Sequence, residues 1–432
     1  MDAGWCSAAE PNASPLSSPA VSRFPVGWRQ TERACNRRRS IITAWPETVA
    51  QAQRVRRDLH RLPETAWAEH ATAATVRDIL GSVGIAYRDC ADTGTVGTLA
   101  PHAPGRHVAL RADLDAMPIT EETGLPYASE NDAVMHACGH DGHTATLIAV
   151  ARWLKAHEDT LPGPVTLLFQ PAEEGGHGAA RMIEDGCLNA PRPVDVVFGW
   201  HNWPELHLGQ AICPDGAVMA ANGTFRVELR GRGGHASQPE TTRDPVLAAA
   251  AVTVALQQVV ARRLAPQQAA VLAVTSLKAA SAATVTPEVA ALAGSIRVPD
   301  GKARDEMFAA ISQIATATAA AHQVTATVHT YPRYDATVNH PGPAAEMRGS
   351  LTGVFGADWA QHTVQAPVMA SEDFSYYLQQ VPGAFALIGG GPADAAPLHN
   401  ARYDFDDALI DPVGRLLIDL AGAPVPVIEG PG

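Results

Sequence analysis

Hydrophobic and polar positions change period several times along this chain. Over residues 46–61 the apolar positions Val49, Ala52 and Val55 recur near helical spacing, which predicts a helix. Farther on, short apolar runs at 108–112, 165–169, 194–199 and 385–388 read as strands. Helix-like stretches lie between them, notably 144–157. Strands alternating with helices predict an α/β fold built on a mostly parallel sheet.

The pattern differs from about 217 to 331. Residues 224–230 alternate, with Phe225, Val227 and Leu229 on one face and Arg226, Glu228 and Arg230 on the other. A helix follows, with Asp244 placed as N-cap and Pro245 in its first turn. Apolar, β-prone runs at 270–277 and 289–298 come next, then a helix over 302–322 and a strand over 324–330. The order β-α-β-β-α-β is that of a ferredoxin-like unit. Sheet-like motifs resume after it, so it reads as a second unit inserted into the first.

Each strand of the larger unit leads into reactive side chains. The run at 108–112 precedes Asp113 and Asp115, and 165–169 precedes Glu173 and Glu174. The run at 194–199 precedes His201, and 385–388 precedes a glycine-rich loop and His399. Open α/β sheets bind ligands beyond the carboxyl ends of their strands. Residues 135–143 add Cys138, three histidines (His136, His140, His143) and Asp141. Thiol, imidazole and carboxylate are the donors of divalent transition metals. Cys138 and His140 can face one metal if the segment is a turn entering a helix; His136 and His143 then stand behind the site or on the helix surface. The competing reading is a helix start whose Cys and His are merely buried or solvated. Of the pair Glu173-Glu174, one carboxylate can bind metal while its neighbour moves protons; alone, such a pair also fits a solvated acidic turn. His201 and His399 are equally open to an ordinary hydrogen-bonded role. The glycine-rich turn at 231–236 presents His235 either to a substrate or to solvent.

Composition narrows the field. With 432 residues, two or three domains are expected. A formal charge of -13 argues against nucleic-acid or anionic-membrane binding. No apolar run reaches the ~18 residues of a membrane span. Six cysteines are sparse and irregularly spaced, and residues 1–47 lack the apolar middle of a secretory signal. Reduced thiols and a cytoplasmic location are therefore expected. There is no Walker A motif, no Gly-x-Gly-x-x-Gly after a strand and no His-Glu-x-x-His.

Taken together, the ordered segments resemble the co-catalytic metallopeptidase family that includes aminoacylases, hippurate hydrolases, auxin-conjugate hydrolases and N-acetyldiaminopimelate deacetylase. The resemblance runs from about 50 to 420. It rests on Arg56-Arg57-Asp58-Leu59-His60, the 110–119 segment with Arg111, Asp113 and Asp115, Gly124–Ser129, His136-Ala137-Cys138-Gly139-His140-Asp141, Gln170–Gly175, Trp200-His201-Asn202, Gly233-Gly234-His235-Ala236, Ser371-Glu372-Asp373 and Leu398-His399. The cysteine in the second cluster marks the amidohydrolase branch. The resemblance implies two divalent ions (manganese or zinc, with cobalt or nickel possible) held by Cys138, His140, Glu174, His201 and His399. It implies Glu173 as general acid/base, Asp115 orienting a ligand histidine, and His235 stabilising the oxyanion, often across a dimer. Thr284 and Asn202 are candidate substrate contacts. The implied architecture is an α/β catalytic domain with a mostly parallel mixed sheet (phosphorylase/hydrolase-like), over 48–216 plus 332–422. A ferredoxin-like α+β lid and dimerisation domain occupies 217–331, with an N-terminal extension at 1–47 and a tail at 423–432. The implied activity is hydrolysis of the amide bond of N-acyl amino acids by a metal-activated water, in a homodimer. Alternatives are a dipeptidase or carbamoyl-amide hydrolase on the same scaffold, or a non-catalytic binding protein.

Departures fall in substrate recognition. Thr284-Val285-Thr286-Pro287 stands where relatives usually carry Asn-Val-Ile-Pro, Asn222-Gly223 follows Met219-Ala220-Ala221 where an acidic residue is common, and Pro239-Glu240 replaces Pro-His.

Overall fold

The computed structural model describes residues 44–391 and 394–427. The extension expected at 1–47 falls outside the described residues except for its last positions. There the first helix already begins, Trp45–Arg61. Its Trp45 is buried and its indole donates to Asp411 at 2.6 Å, which ties the start of the described chain to the helix Ile410–Leu420.

A seven-stranded sheet forms the larger unit. Its four central strands, Val165–Gln170, Val108–Asp113, Val196–His207 and Gly383–Gly391, are mutually parallel in that order. Antiparallel strands flank them: the hairpin Ala86–Cys90/Gly94–Leu99 on one side and Ala211–Ile212 on the other. The sheet is therefore mixed, with a parallel centre, as the alternation predicted. The flanking strands carried no comparable run. The parallel strands Val108–Asp113 and Val165–Gln170 are buried at every position, which is why they read as continuous apolar runs. The helix His140–Ala156 packs across this sheet in one large apolar core with Leu110, Phe198 and Leu417.

Residues 221–332 build a separate four-stranded antiparallel sheet. Ala221–Arg230 is central, paired with Val289–Val298 and Thr325–Pro332, and Val271–Lys278 lies at one edge. The helices Pro245–Leu256 and Gly301–Ala321 cover one face in their own core with Phe225, Leu292 and Ile311. Both start on aspartate caps: Asp244 accepts from the N–H of Val246 and Asp300 from that of Ala303, each at 2.8 Å. Such a cap contributes about 1 kcal/mol.

Candidate metal centre

The helix expected over 144–157 starts earlier, at His140. The turn before it depends on Gly139, whose φ is 88°; a Cβ there would stand 2.4 Å from Asn202 Oδ1 and 2.7 Å from the Tyr403 hydroxyl. Only glycine takes both that backbone and that proximity without strain. Cys138 is thereby left before the helix and His140 on its first turn. His201 comes from the strand Val196–His207, which continues past it. Glu173 and Glu174 follow Val165–Gln170, and His399 follows Gly383–Gly391. Ala172 (φ 54°) and His399 (φ 61°) both hold left-handed conformations, local strain of the kind that clusters at functional sites. The N–H of His399 donates to the carbonyl of Ala137 at 2.8 Å, which pins that loop beside Cys138.

Five side chains of the expected ligand set converge. Cys138 Sγ is 3.3 Å from His201 Nε2 and 3.4 Å from His399 Nε2. His399 Nε2 is 3.2 Å from Glu174 Oε1. Ligand atoms of Cys138, His140 and His201 lie within 4.8 Å of one another, as do those of Cys138, Glu174 and His399. The two groups share the thiol. His140, Glu173 and Glu174 form a third such group.

The surrounding hydrogen bonds prepare these donors. His201 Nδ1 meets the carbonyl of Asn202 at 2.7 Å, and His140 Nδ1 meets that of Asp115 at 2.8 Å. A carbonyl can only accept, so each Nδ1 carries a proton and Nε2 is the atom left to face a metal. His140 Nε2 is buried with no hydrogen-bond partner. A buried, unpaired nitrogen beside a thiol and a carboxylate fits a divalent cation. The Asp115 carboxylate also accepts from the N–H of Glu173 at 3.1 Å and of Glu174 at 2.9 Å, so it orients the carboxylate loop as well as the histidine.

The electrostatics point the same way. Burial opposes a charge on His140, yet Asp113 and Asp115 outweigh it and push the imidazole up to about 10. The pocket prefers positive charge at that position. Burial first, then Glu372, Glu174 and Asp373, push Glu173 well above the usual carboxylate range. Cations held beside it would draw it back toward neutrality, where a proton carrier works.

Behind the site lies an ionic network whose roles the sequence did not reveal. The fully buried Arg111 donates to Asp113 at 2.6 Å, Gln170 at 2.9 Å, Glu372 at 2.8 Å and Asp373 at 3.2 Å. Asp113 in turn meets His143 Nδ1 at 2.6 Å. His143 Nε2 lies 2.6 Å from Asn202 Oδ1. His143 is buried, and so is His136, so neither is a helix-surface residue. Asn202 also donates to Tyr403 at 2.6 Å; it supports the histidines from behind and does not line the cavity.

The cavity itself measures about 390 Å³ and lies between the large sheet and the inserted one. Cys138, Glu173, Glu174, His201 and His399 line it from the larger unit, and Asn222 and Arg297 from the inserted one, with Arg333 and Tyr334 from the segment that joins the two. Trp203, Met219, Met369 and Leu398 supply apolar surface. Arg297 stands opposite Asn222 across the inserted sheet. Its guanidinium donates to the carbonyl of Ile296 at 3.1 Å, and among the described residues no carboxylate pairs with it. Periodicity within one strand gave no sign of this part of the lining, because it exists only through pairing between strands far apart in sequence. His235 and Thr284 do not line this cavity. His235 pairs with Val285 in a two-residue ribbon, Gly234–His235 with Val285–Thr286, and Thr284 stands just before it, its carbonyl accepting from the N–H of Ala236 at 2.9 Å; both residues are exposed.

Imidazole, thiol and carboxylate donors gathered beside the parallel strands, with a spare carboxylate next to them, have the make-up of a hydrolytic metal centre. The model of peptidase family M20/M25/M40 matches residues 109–420, and the chain belongs to that family. It is 37% identical over 374 residues to the N-acetyl-L-cysteine deacetylase of Bacillus subtilis (strain 168), covering 85% of this chain and 86% of that one. It is 36% identical over 375 residues to the hippurate hydrolase of Campylobacter jejuni, covering 86% and 96%. Among solved structures, the Bacillus subtilis YXEP protein, described as a dinuclear metal-binding peptidase of the M20 family, superposes with a TM-score of 0.74. That match has 29% identity and covers 87% of this chain and 98% of that one.

Proposed function

We propose that this chain hydrolyses the amide bond of N-acyl amino acids, with Glu173 as the proton carrier beside two divalent ions. The observation that carries this reading is the place of Glu173. It is buried within 4.8 Å of ligand atoms on His140 and Glu174, and it opens on the cavity. Cys138, His140, Glu174, His201 and His399 would hold the metals. Divalent ions there supply Lewis-acid polarisation of the amide carbonyl and acidify water. Glu173 takes a proton from the attacking water and returns it to the departing nitrogen. Asp115 holds Glu173, Glu174 and His140 in register. Arg297, without a carboxylate of its own, suits the free carboxylate of an amino acid, and the apolar wall suits the acyl group. Imidazole and thiolate donors suit zinc, cobalt or nickel, and the Glu174 carboxylate in the set also admits manganese.

The inserted unit serves as lid and homodimer contact in this reading. Its helix Pro245–Leu256 has no charged residue and leaves Leu247 58% and Val254 74% exposed. An uncharged helix with an open apolar face suits a second copy. Exposed and outside their own cavity, His235 and Thr284 would in this reading serve the partner's. The four described cysteines are free and buried, which supports a reducing, cytoplasmic setting.

The test is turnover of N-acetyl and N-benzoyl amino acids, N-carbamoyl amino acids and dipeptides by protein stripped of metal and reloaded with manganese, zinc or cobalt. Metal-dependent release of amino acid from the N-acyl members is expected. Preference for dipeptides or carbamoyl compounds would replace the substrate assignment, and absence of turnover with metal bound would overturn the proposal.

A further inference from the structure

The inserted unit is joined to the larger one by two strands of backbone that run side by side, around residues 219–222 and 332–336. Asn222 and Tyr334 lock them together. The N–H of Asn222 donates to the Tyr334 carbonyl at 3.0 Å, and the Asn222 side chain accepts from the N–H of Tyr334 at 2.7 Å. From this joint two side chains reach into the loop that carries both glutamates. The Tyr334 hydroxyl donates to the main-chain carbonyl of Glu173 at 2.6 Å, and Arg333 donates to that of Gly175 at 2.6 Å. Tyr334 is buried, and its ring packs edge-on against His177 of the same loop at 4.8 Å. His177 is held from its other side by the Tyr376 hydroxyl at 2.8 Å. On the far side of the joint, Asp335 pairs with Arg304 of the helix Gly301–Ala321 at 2.7 Å and accepts from Gln379 at 3.1 Å.

From this geometry we infer that Tyr334 is a positioning residue. Its hydroxyl fixes the backbone of Glu173 from the joint of the inserted unit, so the place of the proton-carrying carboxylate is set by how that unit sits. The inference rests on the proton role proposed for Glu173. A carboxylate that moves protons must be held within a few tenths of an ångström of its mark, and a loop with a left-handed Ala172 at its start needs external restraint to stay there. The inserted unit thus does more than cover the cavity. Asn222, where relatives often carry an acidic residue, is part of the same device, because its side-chain oxygen accepts the Tyr334 N–H.

The experiment is Tyr334→Phe, which removes the hydroxyl and keeps the ring. It is made in the metal-loaded wild type and in Glu173→Gln, with N-acetyl-L-methionine as substrate and hydrogen exchange followed in peptides covering 170–178. Expected are a kcat lower by about tenfold, KM within about twofold, and full metal content. In the Glu173→Gln background the same change should have no further effect, because a group that acts through Glu173 is not additive with its loss. Exchange in the loop should quicken in both backgrounds. Unchanged loop exchange, an unchanged kcat in the single variant, or a tenfold loss that persists in Glu173→Gln would each overturn the inference. If the wild type does not turn over the substrate, the proposed function fails by itself, and loop exchange alone decides whether Tyr334 restrains the loop.

Discussion

Cys138 Sγ lies 3.3 Å from Nε2 of His201, a residue 63 positions farther along the chain. The thiol also faces His399, so it stands between the two halves of the candidate site. Replacing Cys138 with Ser should therefore weaken both metal positions together. Elemental analysis after dialysis should give well under one ion per chain, against two in the wild type. Retention of one full equivalent would mean that the sulfur serves a single position.

Binding at that thiol should also release a proton. Burial, then Glu174 and Glu173, push the free thiol well above its ordinary range. An ion must displace that proton, so affinity should fall steadily as the medium is acidified. Titration of cobalt into stripped protein between pH 6 and 8, read by thiolate-to-metal absorption, checks this. Affinity independent of pH would contradict it.

Arg111 makes a different prediction. Its guanidinium is wholly buried among Asp113, Glu372 and Asp373. Arg111→Met removes the guanidinium that these three buried carboxylates share and should cost roughly 3–5 kcal/mol of stability. Urea unfolding of the stripped proteins measures it. A loss under about 1 kcal/mol would show that the network protonates and relaxes at little cost.

Stability should also fall in mild alkali. Burial opposes charge on His60, but Asp141 at 2.8 Å and Glu121 at 3.4 Å outweigh it and raise the imidazole to about 9. The folded state therefore holds this proton more tightly than the unfolded chain, whose value is about 6.5. The stabilisation is complete below about 6.5 and is lost as pH rises through 9, a contribution on the order of 3 kcal/mol. Unfolding free energies between pH 6 and 9.5 should show the decline, and His60→Gln should flatten it.

Much of this site was written in the sequence because its ligands lie on or close to elements with strong patterns. His201 lies within a buried parallel strand, just after its most apolar run, and His140 opens a helix behind a required glycine. The ferredoxin-like order was equally legible, since Phe225, Val227 and Leu229 alternate cleanly and Asp244 caps its helix. What could not be read was the part of the lining outside the ligand-bearing segments. Arg297 faces Asn222 only through strand register, and Tyr334 reaches Glu173 across 161 positions. The placement of Asn202 behind His143 likewise depends on packing between a strand and a helix. His235, prominent in its glycine-rich turn, proved exposed, because a two-residue ribbon carries it away from its own cavity.

The substrate carboxylate gives a further check. Arg297→Leu should raise KM for N-acyl amino acids by about tenfold or more, while kcat changes little and C-terminally amidated analogues are unaffected. Equal losses on both series would assign Arg297 to the fold of the inserted sheet.

The most direct test of the whole account is Glu173→Gln in metal-loaded protein, assayed on the best N-acyl amino acid. The account predicts two ions per chain as in the wild type and a kcat lower by about 10²–10⁴-fold. An unchanged kcat at full metal content would contradict it, because the proton would then be moved by some other group.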